Sequence, residues 1–307
     1  MKVEGQRGVA YGAAAYFLWG IFPLYFRLLK DSPAIEILMH RVIWSLVLCA
    51  LLVTVGRSWA SLTVVLRSPR RTGLLAAAAA AVAVNWGVYI YAVNSGQVVE
   101  ASLGYFINPL VTVALGVLVL RERLRPAQWA AVGTGFVAVG VLTVDYGHPP
   151  VIALTLACSF GLYGLLKNLV GADVPALVGL TTETLVLAPF ALAALTGLAL
   201  RGESTFDVDA PWQGLLLAST GLFTVCPLLL FAAAARRIPL TLIGLLQYLT
   251  PVLQLLCGVL LLDEHMPASR WIGFALVWLA LAVLTADTLR AARRARRPAP
   301  PEPQLTP

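Results

Sequence analysis

The side chains with the clearest chemical potential are the few ionisable groups that stand inside long apolar stretches of this sequence. His40 and Arg41 are adjacent in one stretch, and Glu183 lies in another, among three threonines. A charged group in a membrane costs about 2.5 to more than 10 kcal/mol, so such groups usually pair and face a cavity. We expect Arg41 to bind an anionic group or to exchange partners with a titrating Glu183, although a purely structural ion pair is the alternative. His40 titrates near neutral pH and could take part, or could be a hydrogen-bonded residue at a helix end.

A second group combines an amide with aromatic rings. Asn85 and Tyr89 are four residues apart, on one face of a helix, and Trp86 lies beside them. Such a face could hold an amphipathic or cationic organic molecule through stacking and cation–π contacts. The alternative is that the rings pack between helices or sit at the membrane interface.

Two further segments, residues 102–109 and 244–251, each end in a proline inside an apolar stretch. Proline removes a backbone hydrogen bond, and the freed carbonyl must be satisfied by protein or line a wet cavity. We expect a hinge or a central site at Pro109 and Pro251, or a packing kink alone. The polar residues beside them are Tyr105, Asn108, Gln247 and Tyr248.

The two proline segments are equivalent parts of a duplicated chain. A shift of 142 residues superposes the following pairs: Pro33 and Pro175, Pro109 and Pro251, Gly116 and Gly258, Glu122 and Glu264, Trp129 and Trp271. The same shift places Arg41 on Glu183. A pseudo-two-fold axis should therefore bring these two residues onto facing helices, and we expect them to approach each other.

Composition places the duplicated chain in a membrane. The sequence is 59% hydrophobic and 12% charged, with a mean hydropathy of +0.84. A span needs about 20 apolar residues, and ten such runs are present, which predicts an all-α integral membrane protein. The predicted spans are Val9–Leu29, Ala34–Val55, Gly73–Val93, Ala101–Leu120, Ala127–Val144, Pro150–Leu166, Ala176–Leu198, Gln213–Ala235, Leu240–Leu262 and Arg270–Asp287.

Charge distribution predicts the orientation. Lys and Arg collect in cytoplasmic loops, and an inside N-terminus leaves only Arg27, Lys30, Arg201 and Arg270 in loops on the outer side. Both termini are therefore predicted to be cytoplasmic. Since five is odd, two five-helix repeats must have inverted topology. The predicted parts are an N-terminal segment 1–8, repeats 9–144 and 150–287, and a basic, proline-rich tail 288–307.

Inverted repeats around a central site are typical of alternating-access carriers. We predict a secondary active permease for a small molecule, with proton coupling as one option and a lipid or amphiphile flippase as the alternative. Catalysis is not expected, because no nucleophile, base or metal constellation is present. Neither a metal nor a cofactor is predicted, and the four cysteines show no ligand spacing. The only expected partners are the bilayer and the solute, with a homodimer left open and nucleic acid excluded.

Three segments resemble a known family. They are Tyr16–Gly20 (YFLWG), Glu36–Ser45 (EILMHRVIWS) and Asn94–Leu110 (NSGQVVEASLGYFINPL). These motifs are similar to those of the EamA group of the drug/metabolite transporter superfamily, and the likeness runs over nearly the whole chain. The resemblance implies a bacterial inner-membrane exporter or uptake carrier of small metabolites or drugs, with ten helices in two inverted repeats. It implies no particular substrate.

Overall fold

The computed structural model describes residues 2–121, 124–171, 173–206 and 211–295. Every regular element in these ranges is helical. Glu122 and Arg123, in the basic loop after the fourth span, lie outside the described residues, as does most of the predicted tail 288–307.

Ten segments in the described ranges are long and apolar enough to cross a membrane, which confirms the predicted number of spans. Span boundaries agree with the sequence prediction to within a few residues at most ends. The helices are α1 (Lys2–Gly20), α2 (Phe22–Arg27), α3 (Ala34–Val55), α4 (Trp59–Leu66), α5 (Pro69–Asn94), α6 (Val98–Leu120), α7 (Pro126–Tyr146), α8 (Val151–Val170), α9 (Ala176–Leu200), α10 (Pro211–Ala235), α11 (Leu240–Leu246), α12 (Leu249–Leu256), a π-helical turn (Cys257–Leu261) and α13 (Ala268–Ala295).

The first span is broken into α1 and α2 near a proline. Pro23 has no amide hydrogen, so the carbonyl of Trp19, four residues earlier, loses its helical partner. The side-chain amide of Gln254 donates to this carbonyl at 3.1 Å, and the hydroxyl of Thr250 donates to the carbonyl of Tyr16 at 2.8 Å. The break is therefore tolerated in an apolar setting, because Gln254 of another span supplies the missing donor.

The two proline segments differ in the structure. Helix α6 continues through Pro109, whereas the ninth span is interrupted at Gln247 and Tyr248, just before Pro251. The freed carbonyl four residues before Pro251 belongs to Gln247, which is where α11 ends and the turn begins. A hinge role for either proline stays a prediction.

Helix packing is reciprocal between the halves. Helix α3 packs against α9, α6 against α12, and α7 against α13. Helix α5 packs against α8, and α10 packs against α1. The 142-residue shift places α5 on α10 and α1 on α8, so these two contacts are equivalent. Related halves would produce such contacts, and their opposite orientation stays a prediction.

The bundle has two ends that we name for use below. The terminal face holds the start of α1 and the end of α13. Leu62 and Val65 of the short helix α4, which the sequence did not predict, pack at this end against Val170 and Val178. The opposite face holds the start of α3, α6 and α8, and the charge distribution predicts that it is the outer side.

Candidate functional site

Arg41 is the centre of the candidate site. It lies on the eighth residue of α3, is 4% exposed, and faces α10. Its Nε donates a hydrogen bond of 2.8 Å to Oγ1 of Thr224, whose own hydroxyl donates to the carbonyl of Thr220. Among the described residues this is the guanidinium's one protein hydrogen bond, so both terminal nitrogens are left without a protein acceptor there.

Aromatic rings surround the guanidinium. Its carbon lies 4.0 Å from the ring centroid of Trp86, 5.6 Å from that of Phe26 and 5.8 Å from that of Phe22. Three tyrosines extend this ring cluster: Tyr25 and Tyr89 pack against Phe26 with centroids 5.3 and 6.1 Å away, and Tyr105 packs against Tyr89 at 5.8 Å. We call this enclosure, formed by Arg41 with Phe22, Tyr25, Phe26, Trp86, Tyr89, Tyr105 and Thr224, the arginine chamber.

The expected ion pair between Arg41 and Glu183 is wrong. Helices α3 and α9 do pack together, but no oxygen of Glu183 lies within 4.0 Å of a guanidinium nitrogen. Each residue is the eighth of its helix, about 12 Å from the helix start. The two helices run in opposite directions, because the start of α3 contacts the residues after α9 and the end of α3 packs beside the start of α9. The residues therefore lie at mirrored depths rather than at a common one.

Glu183 instead belongs to a separate cluster nearer the terminal face. Its carboxylate accepts a hydrogen bond of 2.6 Å from Nζ of Lys167 and one of 3.3 Å from the hydroxyl of Tyr163. Glu183 is 1% exposed and the Lys167 side chain is 29% exposed. A Cβ atom at Gly179 would lie 2.7 Å from the same Nζ, so this glycine leaves the space that the ammonium occupies.

His40 points away from the arginine chamber. Its ring stacks on Phe206 with centroids 4.9 Å apart and an angle of 21° between the planes. The backbone next to it is held by Glu36, whose carboxylate accepts from the amides of Thr205 and Phe206. His40 is thus part of the contact that joins α3 to residues 204–206, and its role in coupling stays a prediction.

Asn85 and Tyr105 tie three helices together behind the chamber. The side-chain amide of Asn85 donates to the carbonyl of Leu156 at 3.0 Å and to the hydroxyl of Ser159 at 3.1 Å. Its oxygen accepts from the Tyr105 hydroxyl at 3.0 Å. Each polar atom of Asn85 is therefore engaged, whereas the buried hydroxyl of Tyr89 has no hydrogen-bond partner among the described residues.

The remaining predicted residues lie elsewhere. The buried side-chain oxygen of Asn108 also has no hydrogen-bond partner within the described ranges, and Gly161 of α8 lies close to it. Tyr248 lines an apolar groove beside α13 and contacts Thr285 at 3.4 Å, while Gln247 occupies the break before α12. The structure therefore gathers Arg41, Trp86, Tyr89 and Tyr105, with Asn85 behind them, and separates the other predicted site residues from this group.

Several contributors were missed from the sequence. Phe22 and Phe26 are ordinary apolar residues in an apolar run, and only their spacing of one helical turn gave a signal. Lys167 was counted with the loops because it is near a helix end. Its long side chain reaches back into the bundle, as lysines at such positions can do.

Comparison with known proteins defines the class. The sequence profile of the EamA-like transporter family matches residues 6–144 and again residues 150–286. The chain therefore belongs to the EamA-like transporter family, and it is a multi-pass membrane transporter of the drug/metabolite type. A solved crystal structure that is 22% identical shares the fold, with a TM-score of 0.58 over 90% of this chain and 96% of the other.

Within the family, the chain is RarD-like. It is 52% identical to Protein RarD of Streptomyces exfoliatus, over 96% of this chain and 94% of that protein. Protein RarD of Escherichia coli strain K12 is 40% identical, over 95% and 98% of the two chains. YojE of Bacillus subtilis strain 168, described as an uncharacterized transporter, is 40% identical with the same coverage.

Proposed function

We propose that this chain is a secondary active carrier of small metabolites or drugs that works by alternating access and binds its solute in the arginine chamber. The observation that carries the proposal is a buried cation with no carboxylate within 4.0 Å in the described part of the chain. Both halves build its surroundings, since Trp86 belongs to the first half and Thr224 to the second. A site shared by two halves changes its access when the halves move.

Contacts at the opposite face support a conformation in which the arginine chamber is closed to solute on that side. The carboxylate of Glu36 accepts hydrogen bonds from the backbone amides of residues 205–206. That of Glu264 accepts from the amides of Val98 and Val99 at 2.6 and 2.8 Å. That of Glu100 accepts from the amide of Ile152 at 3.0 Å. Each contact joins the first half to the second. We call these three carboxylate contacts the opposite-face latches. In the proposed cycle they open when solute enters or leaves on that side.

The Glu183 cluster is the proposed coupling element. Its carboxylate is almost wholly buried and is neutralised by one lysine, whose side chain is 29% exposed. A proton and the Lys167 ammonium can each neutralise this carboxylate, so protonation would release Lys167 and loosen α8 from α9. Transport would then depend on the proton gradient.

Flux in proteoliposomes tests the carrier and its coupling. The full chain is reconstituted and offered a panel of metabolites and antibiotics, with and without an imposed pH gradient. We expect gradient-driven accumulation that is lost in Glu183→Gln and retained in the control Glu203→Gln, which alters a carboxylate with a 55% exposed side chain. Flux that ignores the gradient and is unchanged in Glu183→Gln would make this carboxylate structural and remove proton coupling from the proposal.

A lipid or amphiphile flippase is the second candidate, and one feature favours it. A groove of about 780 Å³ opens sideways between α12 and α13, with an almost wholly apolar lining that includes Trp271 and Trp278. Flipping would appear as a faster loss of the fluorescent lipid of the inner leaflet, which a membrane-impermeant reductant reaches only after the lipid has moved to the outer leaflet. If the rate matches that of empty liposomes, the groove is a site of lipid contact and not a path.

A further inference from the structure

We infer that the arginine chamber takes a solute with a single carboxylate on an apolar, preferably aromatic, body. This assignment of a substrate class rests on the transport site proposed above and adds the chemistry of its occupant. It starts from the state of Arg41 in the structure. A buried cation that lacks an anion is costly, so the chamber is electrostatically incomplete without one.

Geometry favours a planar carboxylate. Nε of Arg41 is occupied by Thr224, while the terminal nitrogens have no protein acceptor among the described residues. Two parallel N–H groups on a guanidinium match the two oxygens of a carboxylate. The Tyr89 ring packs against Phe26 of the chamber, and its buried hydroxyl, which has no hydrogen-bond partner in the described part of the chain, offers a further hydrogen bond to a bound polar group.

Charge balance favours a monoanion. The other buried charge compared above, that of Glu183, is already neutralised by Lys167. Arg41 therefore supplies one positive charge, which a carboxylate cancels and a phosphate dianion exceeds. Arg41 and a bound monoanion together carry no net charge, and this is the bound state with the lowest electrostatic cost inside an apolar region.

The walls favour an apolar body. Phe22, Phe26 and Trp86 present ring surfaces within 4.0–5.8 Å of the guanidinium carbon. Such rings contact apolar or aromatic groups favourably and offer few hydrogen bonds. A small sugar or a polyol would leave its hydroxyl groups unsatisfied against them.

Equilibrium binding tests the inference without transport. The full chain, purified in detergent in chloride-free buffer, is titrated with matched acid and amide pairs: phenylacetate and phenylacetamide, indole-3-acetate and its amide, and hexanoate and hexanamide. Binding is followed by calorimetry and by the shift in unfolding temperature. We expect the acids to bind at least about tenfold more tightly than their amides, a difference of about 1.4 kcal/mol, and the aromatic acids more tightly than hexanoate.

Variants locate the site. The preference for acids should vanish in Arg41→Gln, shrink in Arg41→Lys, which keeps the charge without the planar fork, and persist in Arg201→Gln, a control whose side chain is 65% exposed. Equal affinity for acid and amide in every pair, including no binding of either, would overturn the inference. So would equal stabilisation by chloride alone, which would indicate an inorganic anion site.

The two proposals fail separately. Gradient-driven flux of neutral or cationic solutes, with no preference for acids in the titration, would refute the carboxylate inference and leave the carrier intact. A preference for acids that depends on Arg41, in a protein that moves none of these solutes in liposomes, would refute the carrier and leave the binding site.

Discussion

At the residue scale, the central fact is that the two buried charges equivalent under the 142-residue shift have separate partners. Arg41 is surrounded by rings and bonded to Thr224, while Glu183 is bonded to Lys167 and Tyr163. Duplication gave both positions the same place in their helices, but the chemistry diverged. A charge pair that only held the halves together would have placed the two groups in contact.

Trp86 is expected to stabilise Arg41 through its ring. A cation over an aromatic face gains about 0.5–2 kcal/mol when it is desolvated. We expect Trp86→Leu to lower the free energy of unfolding in detergent micelles by at least that amount, and Trp86→Phe to lose less. Trp59→Leu is the matched control, because Trp59 lies on α4 and is 49% exposed. An equal loss in both leucine variants would mean that the ring acts through general packing and not through the guanidinium.

The sequence predicted part of the candidate site at this scale. Arg41, Trp86, Tyr89 and Tyr105 were identifiable because a charge or a polar aromatic ring is conspicuous in an apolar run. Thr224 was not, because its hydroxyl bonds back to its own helix, as many threonines in helices do. Which residues share one chamber depends on helix packing, and the 142-residue shift misled that inference because it ignored depth.

At the element scale, the approach of α10 to α3 fixes the position of Thr224 relative to Arg41. A Cβ atom at Gly221 would lie 2.4 Å from the backbone carbon of Trp44. Helix α10 can lie this close only because the residue has no side chain, which is a common role of small residues between membrane helices. Gly221 stands three residues before Thr224, on the same side of α10.

Gly221→Ala is therefore expected to separate these helices. Overpacking of a tight contact costs about 1–3 kcal/mol, and we expect a loss of that size in unfolding free energy together with weaker solute binding in the chamber. Gly140→Ala is the control, since a Cβ atom there meets nothing within 4 Å and alanine improves helix propensity by about 1 kcal/mol. If Gly221→Ala is as stable as Gly140→Ala, the two helices are not held at this point.

Span positions were predictable, and interruptions were not. Ten apolar runs of sufficient length fixed the number of spans. The break at Ile21 depends on a proline whose freed carbonyl is satisfied by Gln254, which is distant in the sequence. Pro109 has the same chemistry and leaves α6 continuous. A proline alone thus cannot tell a kink from a break, because the outcome depends on which donors pack nearby.

At the scale of the whole molecule, the opposite-face latches are expected to set the conformational equilibrium. Cys257 is buried and is separated from Glu264 by the π-helical turn and the start of the following loop. The rate at which its thiol is labelled therefore reports opening at this end. In a background in which the exposed Cys158 and Cys226 are serine, Glu264→Ala should speed labelling of Cys257 by a membrane-impermeant maleimide at least about tenfold. The reason is the loss of two hydrogen bonds to a carboxylate, each worth about 1.5–3 kcal/mol.

Arg71→Ala is the control for this prediction. It removes the ion pair between Arg71 and Asp173, which joins the halves at the terminal face and is largely exposed. We expect it to leave the labelling rate of Cys257 unchanged. Equal rates in Glu264→Ala and the parent would contradict the proposed role of the latches.

The donors that complete the first span also bear on how the chain is made. Tyr16 and Trp19 leave the ribosome early, yet Thr250 and Gln254, which bond to their carbonyls, follow 234 and 235 residues later. At 5–20 residues per second this is a delay of about 10–50 s. During that time the first span has a carbonyl, that of Trp19, which loses its helical partner to Pro23 and which lipid cannot satisfy. We therefore expect the break in the first span to reach its native form only after the ninth span has been made.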